Sequence, residues 1–252
     1  DSSTSRGLGD VYKRQMPHRT LGPHRALLLG ATDDLTHHLA AQLSVLGLGV
    51  VSLPQLARKD AMRVRGARVV VFCQLSTEQY PDARQVHDYG IGQAIWLALA
   101  GATQTAAPVH ATLQMPVRDA DLIGALASAG YQAPADLELA NINETLLRLV
   151  NGNRVVTAEL VSSLLTTAES DIVDYRRECA DRHWIAAGAR AHRLAGTARM
   201  AGCDTLTALS IRAESLCAQG DIDDVMALNQ LLVPGVERLC SALRELHATA
   251  AS

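Results

Sequence analysis

The chain has 252 residues, 48% of them apolar and 19% charged, with a formal net charge of −3. That length and apolar content suit one large domain or two ordinary ones with a buried core. They exclude collagen-like, coiled-coil rod and fully disordered chains. A near-neutral charge and only 3% aromatic residues remove the basic face and the stacking platforms that nucleic-acid binding needs.

Residues 1–15 read DSSTSRGLGDVYKRQ and run directly into Met16. They show no apolar periodicity, and their end resembles the conceptual translation of a sequencing-library adapter. They are set aside as non-native, with residues 16–24 as a linker. A read boundary there implies a natural protein that continues upstream of Met16.

From residue 25 to residue 131 short apolar runs alternate with amphipathic stretches. Residues 26–29, 49–53, 67–72, 95–100 and 109–113 read as buried strands. Residues 34–46 read as a helix with Leu35, Leu39, Leu43 and Leu46 at helical spacing, and residues 119–129 as another. The alternation predicts an α/β unit with a parallel sheet covered on both faces.

After Tyr131 the strands stop. Residues 132–139 contain Pro134 and read as a linker, and residues 141–150 as a short helix ending at Asn151 and Gly152. Four long amphipathic segments follow, with apolar seams through Val161–Cys179, Trp184–Ala201, Leu206–Leu216 and Val225–Leu246. Short connections predict an antiparallel four-helix bundle over 140–249. Pro234 and Gly235 inside the last segment predict a kink.

Five cysteines occur, with no CxxC pair, so neither a disulfide framework nor a zinc site is expected. In the sequence no acidic residue or cysteine stands at metal-ligand spacing from His37 and His38, so they read as a solvated face. No signal peptide is apparent. The uncharged stretch 89–117 is broken by Gln93, Gln104 and Pro108, and its apolar centre at 95–100 is too short to span a bilayer. This segment is expected to be cytoplasmic and free of membrane contact. An inner-membrane anchor, where the parent chain has one, would lie upstream.

The second long helix carries the most informative stretch, AHRLAGTARM at 191–200. At 100° per residue, His192 lies about 130° from the centre of the seam and should face solvent. Gly188, Ala189, Gly196 and Arg199 share its face. Glycine inside a helix costs about 1 kcal/mol relative to alanine. Two of them, one turn to either side of an exposed histidine, suggest bare backbone that lets another protein reach the imidazole.

His192, Gly196, Thr197 and Ala198, with the arginine, methionine, alanine and glycine that follow, resemble the histidine phosphotransfer domain of bacterial phosphorelays. The resemblance covers about residues 137–246. It implies that His192 accepts and donates a phosphoryl group and that Gly196 keeps the approach open. The usual lysine three residues after the histidine is Ala195 here, so Arg199 or Arg193 would have to supply the cation. A histidine is largely neutral and nucleophilic at cellular pH, and phosphoryl transfer depends mainly on positioning and charge stabilisation. In the resemblance, the partners are response-regulator receiver domains. The receiver brings the aspartyl phosphate and Mg²⁺, and this chain needs no cofactor or metal of its own.

The amino-terminal half is similar to a receiver, a flavodoxin-like fold, in its order of elements. The residues of receiver chemistry are changed. Gly30 and Ala31 stand where two acids would hold Mg²⁺, while Asp33 and Asp34 come later and read as helix caps. Cys73 stands at the phosphoacceptor position. The hydroxyl position falls near Ala100, with Thr103 beyond, and the lysine before proline is Met115. Without clustered carboxylates there is no hard oxygen site for Mg²⁺. A catalytically inactive receiver is the expectation. A dinucleotide-binding start at LLGATD, 28–33, is unsupported, because the next glycine after Gly30 is Gly47.

The resemblance therefore implies a phosphorelay module without its own kinase core, from the carboxy-terminal end of a hybrid sensor histidine kinase whose core lies upstream. A free-standing phosphotransfer protein is the near alternative. A non-catalytic adaptor for two-component partners is the alternative of another class.

Overall fold

The computed structural model describes residues 24–30, 33–73, 81–100 and 109–250. The readings at residues 1–23, Ala31 and Thr103 lie outside these residues, as do the side chains of Asp33 and Asp34.

Five strands form one parallel sheet: β1 Arg25–Leu29, β2 Gly49–Leu53, β3 Val69–Phe72, β4 Ile95–Leu99 and β5 Ala111–Leu113. Their order is β2-β1-β3-β4-β5, the flavodoxin-like arrangement. Side chains alternate between the faces. Ala26, Leu28, Val69, Val71 and Leu97 meet one core, and Leu27, Leu29, Val70, Phe72 and Trp96 the other. The first face is covered by α1 (Asp33–Val45) through Leu39 and Leu43. Beside it, α4 (Asp119–Ser128) contributes Leu122, Ile123 and Leu126.

The second face is covered by α2 (Ala61–Val64) and α3 (Ala83–Asp88), through Val64 and Val86. Neither was foreseen from sequence. Helices of four and six residues are too short to display a 3.6-residue period.

Two short helices follow, α5 (Asp136–Ala140) and α6 (Ile142–Leu149). The bundle is α7 (Arg154–Ala180), α8 (Trp184–Met200), α9 (Asp204–Gln219) and α10 (Ile222–Ala250). Asn153 starts α7 by accepting from Val155 N and Val156 N at 3.1 and 3.2 Å. Gly220 ends α9 in the left-handed conformation, φ 73°. Pro234, the site of the expected kink, lies inside α10, which runs as one helix from Ile222 to Ala250. Gly235 serves a different purpose: a Cβ there would lie 2.6 Å from Ala133 O.

The sequence reading also places a linker at 132–139. Instead, that segment is packed between sheet and bundle, with Ala133 and Ala135 buried next to Tyr131 and with α5 starting inside it at Asp136. Its apolar residues find a surface to cover, which a single sequence does not reveal. One core runs from the sheet through α1 and α4 into α9 and α10.

Glu138 of α5 is the joint. Its Oε2 accepts from Ala135 N at 2.8 Å and from the Thr205 hydroxyl at 2.6 Å, and its Oε1 from Thr205 N at 3.0 Å. Thr205 N is one of the orphan donors at the start of α9, so a carboxylate from another segment caps that helix. His24, the last residue of the expected 16–24 linker, is buried with Nε2 3.2 Å from Glu138 Oε2. Burial by itself pushes the Glu138 carboxyl up, but His24 and Thr205 outweigh it and hold it below the usual carboxylate range. Arg238 of α10 adds bonds to Gln132 Oε1, Pro134 O and Asp136 Oδ1. Among the described residues no helix is long and apolar enough to cross a membrane.

Candidate functional site

The seam of α8 buries Ala187, Ala191, Leu194 and Ala198. His192 points away from it, with its side chain 72% exposed. The imidazole is nevertheless held. Its Nδ1 lies 3.0 and 3.1 Å from the two carboxylate oxygens of Glu214 on α9. A carboxylate only accepts, so Nδ1 carries the proton and donates it. The lone pair then resides on Nε2, which is the nucleophilic nitrogen.

Glu214 was not singled out from sequence. It is 22 residues from His192 on a separate helix. Hairpin counting could have found it. The turn at 201–203 folds α9 back along α8, and residues about equally far from that turn come opposite each other.

The two glycines beside His192 do different things. Around Gly196 a Cβ would meet nothing within 4 Å, so the backbone there is open, as expected. Gly188 is a correction. It is buried, and a Cβ there would lie 3.3 Å from Cys217 Cβ and 3.6 Å from Glu214 O. It exists for the close approach of α9, and that approach brings Glu214 within reach of the histidine.

The arginines also separate. Arg193 was a candidate cation. Its Nε donates to Asp171 Oδ2 at 3.0 Å, while Arg190 Nη1 donates to Oδ1 of the same fully buried carboxylate at 3.4 Å. A buried carboxylate must be paired, so Arg193 is committed to α7 and fixes the rotation of α8. Arg199 is exposed and forms no ion pair among the described residues. It lies on the His192 face, about 10 Å further along the axis. Ala195 is buried at 3%, about 60° from His192 toward the seam. Thr197 and Ala198 are buried as well.

The carboxyl edge of the sheet lies largely outside the described residues, which omit 31–32, 74–80 and 101–108. Cys73 at the end of β3 is described. Its N–H donates to Leu29 O at 2.8 Å, and burial pushes its thiol up to about 11, so it stays protonated and unreactive. Among the described residues no group of three or more His, Cys, Asp or Glu is placed to hold a metal ion.

No curated protein and no solved structure gives a significant match. Residues 159–249, from within α7 to within α10 and including both His192 and Glu214, match the family model described as Hpt domain, the histidine-phosphotransfer unit of phosphorelay signalling.

Proposed function

We propose that the bundle accepts a phosphoryl group on His192 Nε2 from the aspartyl phosphate of a partner receiver domain and donates it to another. The observation that carries this reading is the exposed imidazole bonded through Nδ1 to Glu214, which leaves Nε2 as the other ring nitrogen for the reaction. In the forward step a bond forms between Nε2 and phosphorus while the bond from phosphorus to the aspartyl oxygen breaks. The partner's aspartate leaves as a carboxylate. The ring gains positive charge as Nε2 becomes substituted, and Glu214 stabilises that charge through the Nδ1 proton. The partner supplies Mg²⁺. Arg199 lies on the face where the phosphoryl oxygens would arrive, and Gly196 leaves room for the partner's loops.

The receiver-like sheet is read as catalytically inactive, with Cys73 at the acceptor position, and the whole as the end of a longer hybrid sensor kinase. A kinase core encoded in frame upstream would support that origin.

The test is incubation of the chain with a phosphorylated receiver domain. Acid-labile, base-stable label should appear on the chain and be absent from His192→Gln. One observation favours the adaptor reading: Ala195 leaves no cation next to the imidazole and is itself buried. Binding of several phosphorylated receivers without any phosphohistidine would establish it instead.

A further inference from the structure

We infer that Arg212 is a positioning residue for His192, acting through α9 from the side of the sheet. Arg212 and Glu214 are two residues apart on α9, so they point about 160° apart around its axis. On one flank Glu214 holds the imidazole. On the other, Arg212 Nη2 donates to Asp119 Oδ2 at 2.6 Å. Asp119 is the first residue of α4, and its Oδ1 accepts from Gln42 Nε2 of α1 at 2.7 Å. The same Gln42 nitrogen donates to Val117 O at 3.0 Å. One carboxylate thus ties α1, α4 and α9 together. Arg212 and Asp119 are 22% and 20% exposed, so salt screens the pair less than a surface one.

This tie adds to a closely packed helix pair. Gly188 of α8 packs closely against Cys217 and Glu214 of α9, and the two helices carry further small buried residues, among them Ala191, Ala195, Ser210 and Ala213. Small residues permit close approach but interlock less than large ones. A lateral shift of α9 by 1 Å would stretch a 3.0 Å bond beyond hydrogen-bonding range. The sheet restrains that shift through Asp119 and so keeps Glu214 on Nδ1. The amino-terminal half is on this account part of the phosphotransfer site, without touching the histidine.

The effect on transfer rests on the function proposed above; the effect on the imidazole does not. The experiment uses the full chain with ¹⁵N-labelled histidine, the His192 ring signals being assigned from His192→Gln. In Arg212→Ala the Nε2–H tautomer of His192 should become populated. The rate of labelling by a phosphorylated receiver should fall about tenfold, the size usual for losing an orienting partner. The half-saturating receiver concentration should not change, since the sheet flank is remote from the docking face. Arg212→Lys, which keeps a charge beside Asp119, should restore most of the wild-type pattern. Asp119→Asn gives the same comparison with a smaller change in packing, should Arg212→Ala not fold. Folded variants that all keep the wild-type tautomer would overturn the inference. A tautomer that responds in a chain that takes no label would leave the positioning intact and remove the phosphotransfer reading.

Discussion

Glu214 presents both carboxylate oxygens to Nδ1 of His192 across the α8–α9 pair, at 3.0 and 3.1 Å. The contact decides which ring nitrogen is free, and it needs Gly188 to let the two helices meet. Glu214→Ala should therefore lower the rate of phosphohistidine formation by about 10- to 100-fold, as loss of an orienting carboxylate does elsewhere. Glu214→Gln, which still accepts through Oε1, should lose less. Rapid-quench labelling measures both. Equal rates in wild type and Glu214→Ala would show that the ring needs no orienting group.

Gly188 and Gly196 should respond in opposite ways. Gly188→Val overpacks the α8–α9 contact and should cost about 1–3 kcal/mol of stability. Gly196→Ala places its methyl in open space and should raise stability by up to about 1 kcal/mol. It should also slow transfer, because the methyl occupies the partner's approach. Thermal unfolding read beside the labelling rate tests this. A Gly196→Ala variant with unimpaired transfer would mean that the partner does not come near that backbone.

Asp171 holds Arg190 and Arg193 from the interior of α7. Asp171→Ala strands the Arg193 guanidinium, which at 54% exposure can partly rehydrate, and leaves Arg190 with Asp174 alone, 3.3 Å away. The expected cost is about 1–3 kcal/mol, the range for unsatisfied charged partners. Denaturant midpoints at constant slope would report it. His192 should become more mobile in the same variant, since the rotation of α8 is no longer fixed.

The joint at Glu138 gives a pH dependence with a defined sign. Its folded carboxyl is held below the usual range, so its contribution is present above the unfolded value, about 4.3 for glutamate. That contribution is lost as pH falls through the lowered folded value. The stability difference between wild type and Glu138→Gln should be constant near neutral pH and shrink below about pH 4. A difference that stays the same down to pH 2 would mean that Glu138 does not titrate as part of the joint.

Much of this was legible in one dimension. The run at 26–29 announces β1 because both faces of that central strand are buried, and the run at 49–53 announces the edge strand β2 through Val51 and Leu53, although Ser52 is exposed. The spacing of Ala187, Ala191, Leu194 and Ala198 places the seam of α8, and the exposure of His192 follows from it. Periodicity does not say what an off-seam residue touches. It gave Gly188 and Gly196 one shared purpose, although a neighbouring helix covers only the first. It left Arg193 as free as Arg199, although a buried acid 22 residues away claims the former. The segment 132–139 looked like a spacer because its apolar residues are few and Pro134 interrupts them.

By itself the sequence determined the parallel sheet, the helical bundle after it and the solvent-facing histidine between two glycines. Each depends on local periodicity, which one chain segment carries alone. Only the tertiary structure decided that Glu214 selects the free nitrogen of His192. The same holds for Asp171 occupying Arg193, and for Arg212 binding the other side of α9 to the sheet. Those pairings join residues from separate elements. They exist only after close packing has fixed the rotation of each helix against its neighbours.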